Sequence, residues 1–307
     1  MEQTLHFFKA LSDETRLRLL FILNRYELNV NELVRFLGMG QSRVSRHLKI
    51  LAEAGLLSSR RDGLWVFYSA AREGSGREFI NAIAPFLLDE KTSEGDLNLA
   101  AALIDERASK TTQFFNSIAM YWDNMSREIL GGFQLEEAVV SLMPEACETA
   151  VDLGCGTGLM LEQLMRRAQN VVGVDGSASM LELARRRFVE CAERVSLRIG
   201  DLEHLPLRDG EADFVCVNLV LHHLSHPRNV LEEGKRVLKP GGVLVLSDFD
   251  SHDDESLRSD YGDRWLGFET ETIHAFLEQA GLSLESSFSR PVEKNLSLHF
   301  YKATNKS

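Results

Sequence analysis

The sequence predicts two folds in one chain, a small α+β unit followed by a larger α/β unit. Three observations carry this. Residues 1–72 hold 11 Lys and Arg against 7 Asp and Glu, although the 307-residue chain carries a net charge of −12. A basic first quarter on an acidic chain implies two parts with different partners. Short helical patterns closed by glycines precede an alternating hairpin over residues 29–69. From Thr149 onward, unbroken apolar runs alternate with amphipathic stretches, the pattern of a parallel sheet covered on both faces.

Composition places the chain among ordinary globular proteins, with 44% hydrophobic and 26% charged residues and length enough for two cores. No apolar run reaches the ~18–20 residues of a membrane helix, so no membrane partner is expected. The opening MEQTLHFFKALSDETRLRLL acquires Asp and Glu too early for a signal peptide. Cys147, Cys155, Cys191 and Cys216 show no CxxC or metal-ligand spacing. They read as reduced, space-filling thiols of a cytoplasmic protein, and no metal site is expected.

Element by element, Ser12 with Asp13 and Glu14 is expected to cap a helix with Leu17, Leu20, Phe21 and Leu23 as its buried stripe. Residues 29–37, ended by Gly38, and residues 41–54, closed by Gly55, form a helix-turn-helix. On the second of these, Val44, Leu48 and Leu51 face inward. At 100° per residue Ser42, Ser45, Arg46 and Lys49 then share the opposite face, with Gln41 and Arg43 at its margins. Small hydroxyls allow close approach to a DNA groove, while Arg and Lys reach bases and phosphates. Residues 56–59 and 64–69 read as strands around Arg60-Arg61-Asp62-Gly63, a hairpin wing with Arg60 and Arg61 near its tip. Double-stranded DNA is the expected partner.

Over residues 1–90 the stretches ALSDETRLRLL, ELVRFLGMGQSRVSRHLKILAEAGLL and RRDGLWVFYSA make the chain resemble the ArsR/SmtB family of winged helix-turn-helix repressors. The resemblance implies a homodimer on a palindromic operator. Metal sensors of that family often carry a CxC pair where this chain reads Asn29-Val30-Asn31, and carboxamides cannot replace thiolates for soft ions. Residues 77–88 also lack the Asp/His spacing of that family's alternative site. Regulation is therefore expected from elsewhere in the chain.

The connector begins at REGSG, residues 72–76. Residues 77–88 are amphipathic, and residues 97–105 continue at helical spacing after the polar break KTSEGD. These read as dimerisation helices or as helices packed within one subunit. Residues 107–130 are rich in aromatics (Phe114, Phe115, Tyr121 and Trp122), mostly core, with Tyr121 a candidate cover for a ligand. The expected division is residues 1–75, 76–110 and 111–307.

In the last part, strands are expected over residues 150–153, 171–175, 195–199, 212–218 and 243–249, with helices around 160–167, 179–191 and 230–238. The first strand runs into VDLGCGTG. A dinucleotide fingerprint would place a third glycine at Leu159, and no Lys-Ser/Thr follows the loop, so neither an NAD site nor a P-loop fits. Asp175 ends the second strand, where a carboxylate can accept from both ribose hydroxyls. Asp201, in GDLEHLPL, ends the third, where an acid can accept from an adenine amino group. An adenosine held by two acids, without a nearby phosphate-binding base, suits S-adenosylmethionine. Asp152 adds a carboxylate near the amino-acid end of such a ligand.

VDLGCGTG, VVGVD, GDLEHLPL, ADFVCVNLVLHHL and LKPGGVLVLSDF, in that order, resemble the class I S-adenosylmethionine-dependent methyltransferases over about residues 110–307. The resemblance implies a Rossmann-like α/β domain with a mostly parallel seven-stranded sheet, residues 282–288 and 296–303 forming its antiparallel end. It implies that Gly154, Gly156 and Gly158 form the ligand turn and that Asp175 holds the ribose. Met180 then packs on the adenine, Asp201 and Leu202 border it, and Asn218 lies below the sulfur. Cys155, Gly176 and Gly200 complete the candidate ligand contacts. His222 and His223 stand past the fourth strand, where a substrate base could sit, but read mainly as architecture; Asp248, His252, Asp253 and Asp254 read as a solvated acidic loop or helix cap, and no catalytic residue is singled out. The whole layout resembles S-adenosylhomocysteine-responsive regulators of methionine metabolism. The expected function is a repressor whose second domain senses S-adenosylhomocysteine or S-adenosylmethionine. The alternative is an active small-molecule methyltransferase with an autoregulatory DNA-binding domain.

Overall fold

The computed structural model describes residues 2–62, 65–86 and 90–306. The turn expected at Gly63, the strand start at Leu64 and the helix end at Leu87 and Leu88 lie outside the described residues. The chain divides into two compact units, Met1–Arg107 and Ala108–Ser307.

The first unit begins with α1 (Glu2–Leu11) and α2 (Glu14–Leu23). The cap of α2 is Asp13, whose side chain accepts from Arg16 N, whereas the Ser12 hydroxyl donates back to Lys9 O. Leu17 is 37% exposed, and the buried face comprises Leu19, Leu20, Phe21, Ile22 and Leu23. The stripe expected from the sequence was thus rotated toward solvent at Leu17. A two-residue strand β1 (Leu28–Asn29) leads into α3 (Val30–Leu37), closed by Gly38, and α4 (Gln41–Glu53) follows. Then come β2 (Leu57–Asp62) and β3 (Trp65–Ala70), in a three-stranded antiparallel sheet of order β1-β3-β2.

Next in the chain come α5 (Gly74–Ile83), a 3₁₀ turn (Ala84–Phe86) and α6 (Glu90–Ile118). The expected polar break KTSEGD lies inside α6. Asp96 is the reason. It is buried and receives Arg18 through two hydrogen bonds, Nε at 2.8 Å and a terminal nitrogen at 2.7 Å, a bidentate pair that anchors a stretch whose own propensity is poor.

The second unit continues with a 3₁₀ turn (Ala119–Tyr121), α7 (Trp122–Leu130) and α8 (Leu135–Ser141). Its alternating core then runs β4 (Thr149–Leu153), α9 (Leu159–Leu164), β5 (Asn170–Asp175), α10 (Ala178–Arg187), β6 (Val195–Ile199), β7 (Ala212–Asn218), α11 (Pro227–Val237) and β8 (Leu238–Phe249). After α12 (Ser256–Asp260) and α13 (Thr270–Gln279), β9 (Ser283–Pro291) and β10 (Ser297–Thr304) end the fold. The sheet order is β6-β5-β4-β7-β8-β10-β9. The first five strands pair in parallel and β10 pairs antiparallel with both β8 and β9. This is the Rossmann-like α/β arrangement. The order reverses between β4 and β7, and in such sheets a crevice opens there at the strands' carboxyl ends.

Candidate functional site

The first candidate site is a helix face. On α4, Val44, Leu48 and Leu51 are fully buried in the core of the first unit. Gln41, Ser42, Arg43, Ser45, Arg46 and Lys49 are exposed. All six residues named from periodicity therefore share the outer surface. The two arginines of the hairpin differ from the expectation. The ladder extends to the Asp62–Trp65 pair, so Arg60 and Arg61 lie within the strand and not at its tip. Strand alternation then separates them. Arg61 is exposed, but Arg60 pairs with Glu27 at 3.2 Å and lies 4.8 Å from the ring centre of Phe67 opposite it. Arg60 braces its own sheet.

Asn29, which stands where a thiolate was sought, has a local task. Its side chain accepts from Glu32 N at 3.1 Å, and Glu32 Oε2 accepts from Asn29 N at 2.9 Å. That reciprocal pair is a capping box satisfying two end donors of α3.

The second candidate site is a cavity of about 620 Å³ in the second unit, at the reversal of strand order. Of the thirteen residues expected to touch a ligand, eleven line it: Asp152, Gly154, Cys155, Gly156, Asp175, Gly176, Met180, Gly200, Asp201, Leu202 and Asn218. Gly158 and Tyr121 do not. Gly158, at φ +88°, shapes the turn from behind, where a Cβ would come within 2.7 Å of Phe188. Tyr121 is 65% exposed because the 3₁₀ turn preceding α7 carries it outward. The aromatic wall comes instead from Phe115 and Trp122, whose rings meet edge to face at 5.2 Å. The sequence flagged this aromatic cluster but not which member turns inward.

The glycine turn is held on three sides. Gly156 N donates to Asp175 Oδ2 at 2.8 Å, and Ser177 N donates to Oδ1 at 2.7 Å. Thr157 donates its hydroxyl to Asp123, which also pairs with Arg187 at 3.0 Å. Gly154 has φ +78°, and a Cβ there would stand 2.4 Å from Val220 Cγ2. The turn after β4 therefore packs directly on the loop after β7.

The acids of the cavity differ in setting. Asp152 is buried, and burial pushes its carboxyl up to about 7, partly offset by the Cys216 thiol donating at 3.3 Å. Burial also raises Asp175, opposed by the N–H bonds from Ser177 and Gly156. Asp201 lies beyond the end of β6, largely exposed, and pairs with His204 Nδ1 at 3.0 Å. Asp248, expected in a solvated loop, is buried, 2.6 Å from His222 Nδ1. It sits near the carboxyl end of β8, beside His299 of β10 in the sheet. His223, read as architecture, lines the cavity beside Phe115.

These residues fit an S-adenosyl ligand. Asp175 uses one lone pair of each oxygen on backbone N–H groups and keeps capacity for two hydroxyls. No Lys or Arg is among the described residues lining the cavity, which suits a nucleoside without phosphates.

A doubly wound sheet with a glycine turn at its switch point and a strand-end acid is the architecture of a class I methyltransferase fold. Comparison with known proteins agrees. Residues 151–246 match the family described as "Methyltransferase domain", and residues 13–59 match "Bacterial regulatory protein, arsR family". A C-methyltransferase of ubiquinone and menaquinone biosynthesis, UbiE of Acidiphilium cryptum, is 31% identical over 169 residues, covering 53% of this chain and 68% of that protein. An uncharacterised 37.1 kDa protein of a Streptomyces fradiae transposon is 42% identical over 119 residues, covering 38% of this chain and 33% of the other. Among solved structures, the methyltransferase in complex with the Haloferax volcanii Trm112 activator superposes with a TM-score of 0.56 at 20% identity, covering 64% of this chain and 98% of that one. The [4+2]-cyclase SpnF superposes at 0.54 and 17% identity, covering 63% and 94%. The chain spans from 33% to 60% of the length of four curated relatives it matches. It belongs to the class I methyltransferase family through its second unit and carries an arsR-family helix-turn-helix in its first. Among the described residues no helix is long and apolar enough to cross a membrane.

Proposed function

We propose that this protein is a homodimeric DNA-binding repressor whose methyltransferase-like unit takes an S-adenosyl compound as its input. The observation that carries the reading is Asn29. The place of a thiolate sensor is occupied by a carboxamide engaged in capping α3, while the second unit offers a cavity of about 620 Å³. In this reading α4 lies in the major groove of a palindromic operator, with Arg46, Arg43 and Lys49 on bases and phosphates and Gln41, Ser42 and Ser45 between them. Arg61 supplies the wing. Asp175 takes the ribose hydroxyls, Met180 and Leu202 bracket the adenine, and Asp152 faces the ligand's ammonium.

S-Adenosylmethionine and S-adenosylhomocysteine differ by a methyl and a sulfonium charge. An effector moves the equilibrium only by its differential affinity for DNA-competent and DNA-incompetent states. Coupling of about 1–3 kcal/mol gives a ~5–150-fold change in operator affinity. The test is an anisotropy titration of the full chain on its own promoter, with each ligand added separately. A ligand-dependent change supports the reading, and no change with either ligand overturns it.

A second reading has its own observation. His223 lines the cavity, and its buried Nε2 has no hydrogen-bond partner in the protein, which leaves it able to take a proton from a bound nucleophile. A methyltransferase needs little more than alignment of a nucleophile with the sulfonium methyl. When bound, S-adenosylmethionine supplies that methyl, and the residues here hold and orient it. Transfer of labelled methyl to a small molecule from cell extract would establish this activity. SpnF, a [4+2]-cyclase, shares this fold, and a fold alone does not fix the reaction.

A further inference from the structure

Beside the main cavity lies a much smaller one of about 20 Å³, bordered by His222, His223 and Asp263 and closed by Trp122, Leu219 and Phe249. That is room for one water molecule or one ion. The cluster is buried on every member, and its nearest ligand atoms all lie within 4.8 Å of one another. His222 Nε2 is 3.6 Å from Asp263 Oδ1, and the His223 ring lies against that of His222, with centroids 4.0 Å apart.

Two polar atoms here have no partner, His223 Nε2 and Asp263 Oδ2. His223 Nδ1 lies 3.2 Å from Gly262 O, so the proton belongs on Nδ1 and Nε2 keeps its lone pair. Both orphans are then acceptors, and neither can satisfy the other. Buried acceptors without donors are rare in native proteins; a cation would serve both. The neighbouring ring is prepared for the same task. His222 Nδ1 is 2.6 Å from Asp248 Oδ1, the carboxylate–histidine arrangement that fixes the tautomer of a metal-ligating imidazole and aims its Nε2.

The geometry points to a mononuclear site for a divalent first-row transition ion, held by His222, His223 and Asp263 and oriented by Asp248. Two imidazoles with one carboxylate suit zinc, cobalt or iron(II) rather than magnesium or calcium, which take oxygen ligands, or copper(I), which takes sulfur. His223 also lines the main cavity, so a bound ion would fix one residue of the ligand wall.

The test uses the full chain without a histidine tag, freed of metal by chelator dialysis and titrated with zinc chloride and cobalt chloride. Calorimetry reads the binding, and visible absorption of the cobalt form reads ligand geometry. We expect one ion per chain. Asp263→Asn and His223→Asn should each abolish binding while circular dichroism shows the metal-free variants folded as the parent, at a lower Tm. Asp248→Asn, acting through His222, should weaken binding by about 10–100-fold. His204→Asn, at the exposed pair with Asp201, should change nothing. Failure of the parent chain to bind either ion, or undiminished binding by His223→Asn, overturns the proposal and leaves a bridging water in the small cavity. Should Asp263→Asn fail to fold, His223→Asn and the parent cobalt spectrum decide on their own.

Discussion

Gly156 N donates to Asp175 Oδ2 across 2.8 Å, so the loop that cradles a ligand and the acid that grips it are one hydrogen-bonded piece. Asp175→Ala removes the acceptor for Gly156 N and Ser177 N together with the expected ribose contact. Charge-assisted bonds of this kind are worth about 1.5–3 kcal/mol each, so S-adenosyl ligand affinity should fall about 100-fold or more by calorimetry. Operator binding by the ligand-free variant should match the parent. Loss of DNA binding in a folded Asp175→Ala protein would contradict the separation of roles between the two units.

Arg46 and Arg60 should respond oppositely. Arg46 is exposed on α4, and Arg46→Ala should weaken operator binding and reduce its salt slope by about one. Arg60 pairs with Glu27 and covers Phe67. Arg60→Ala should lower the Tm of the first unit and leave the salt slope alone. Anisotropy at several salt concentrations, paired with thermal melts, separates the two.

Asp152 predicts a pH dependence. Its folded value of about 7 lies above the ~3.9 of an unfolded aspartate. A carboxyl raised in this way contributes stability below about pH 4, and that contribution is lost as pH rises through 7. The parent should therefore lose stability relative to Asp152→Asn between pH 4 and 7, by about 4 kcal/mol at most. Denaturant melts of both proteins across that window check the sign. A cationic ligand favours the ionised form, so its affinity for the parent should rise over the same range and stay flat in Asp152→Asn.

Asn29→Ala opens the capping box. The expected cost is about 1 kcal/mol, seen as a fall of a few degrees in the first unit's Tm. The operator response to S-adenosyl ligands should be retained, because the residue works as a cap. A lost ligand response with unchanged Tm would make Asn29 part of the signalling path.

How much was legible in the sequence depended on whether local chemistry decided the outcome. The α4 face was readable because Val44, Leu48 and Leu51 repeat at helical spacing, and that periodicity alone orients Arg46. The glycine turn was readable because Gly154 and Gly158 need positive φ. Two of the misreadings share one cause, long-range pairing. KTSEGD looked like a break because Arg18, the partner of Asp96, lies 78 residues away. Asp248 looked solvated because the residue that engages its carboxylate, His222, lies 26 residues back in the chain. Tyr121 was chosen over Trp122 because one residue in a 3₁₀ turn decides which ring faces the cavity. The His222–His223–Asp263 cluster left no spacing signal, since Asp263 joins through a loop 40 residues on.

The missing side chain at Gly154 has a mechanical meaning. Val220 fills the space where a Cβ would stand, and two residues later the chain reaches His222. The two lips of the cavity are therefore packed directly against each other. Were both proposed sites filled, a ligand on the glycine turn and an ion on the histidine pair would each bear on the other through this one contact.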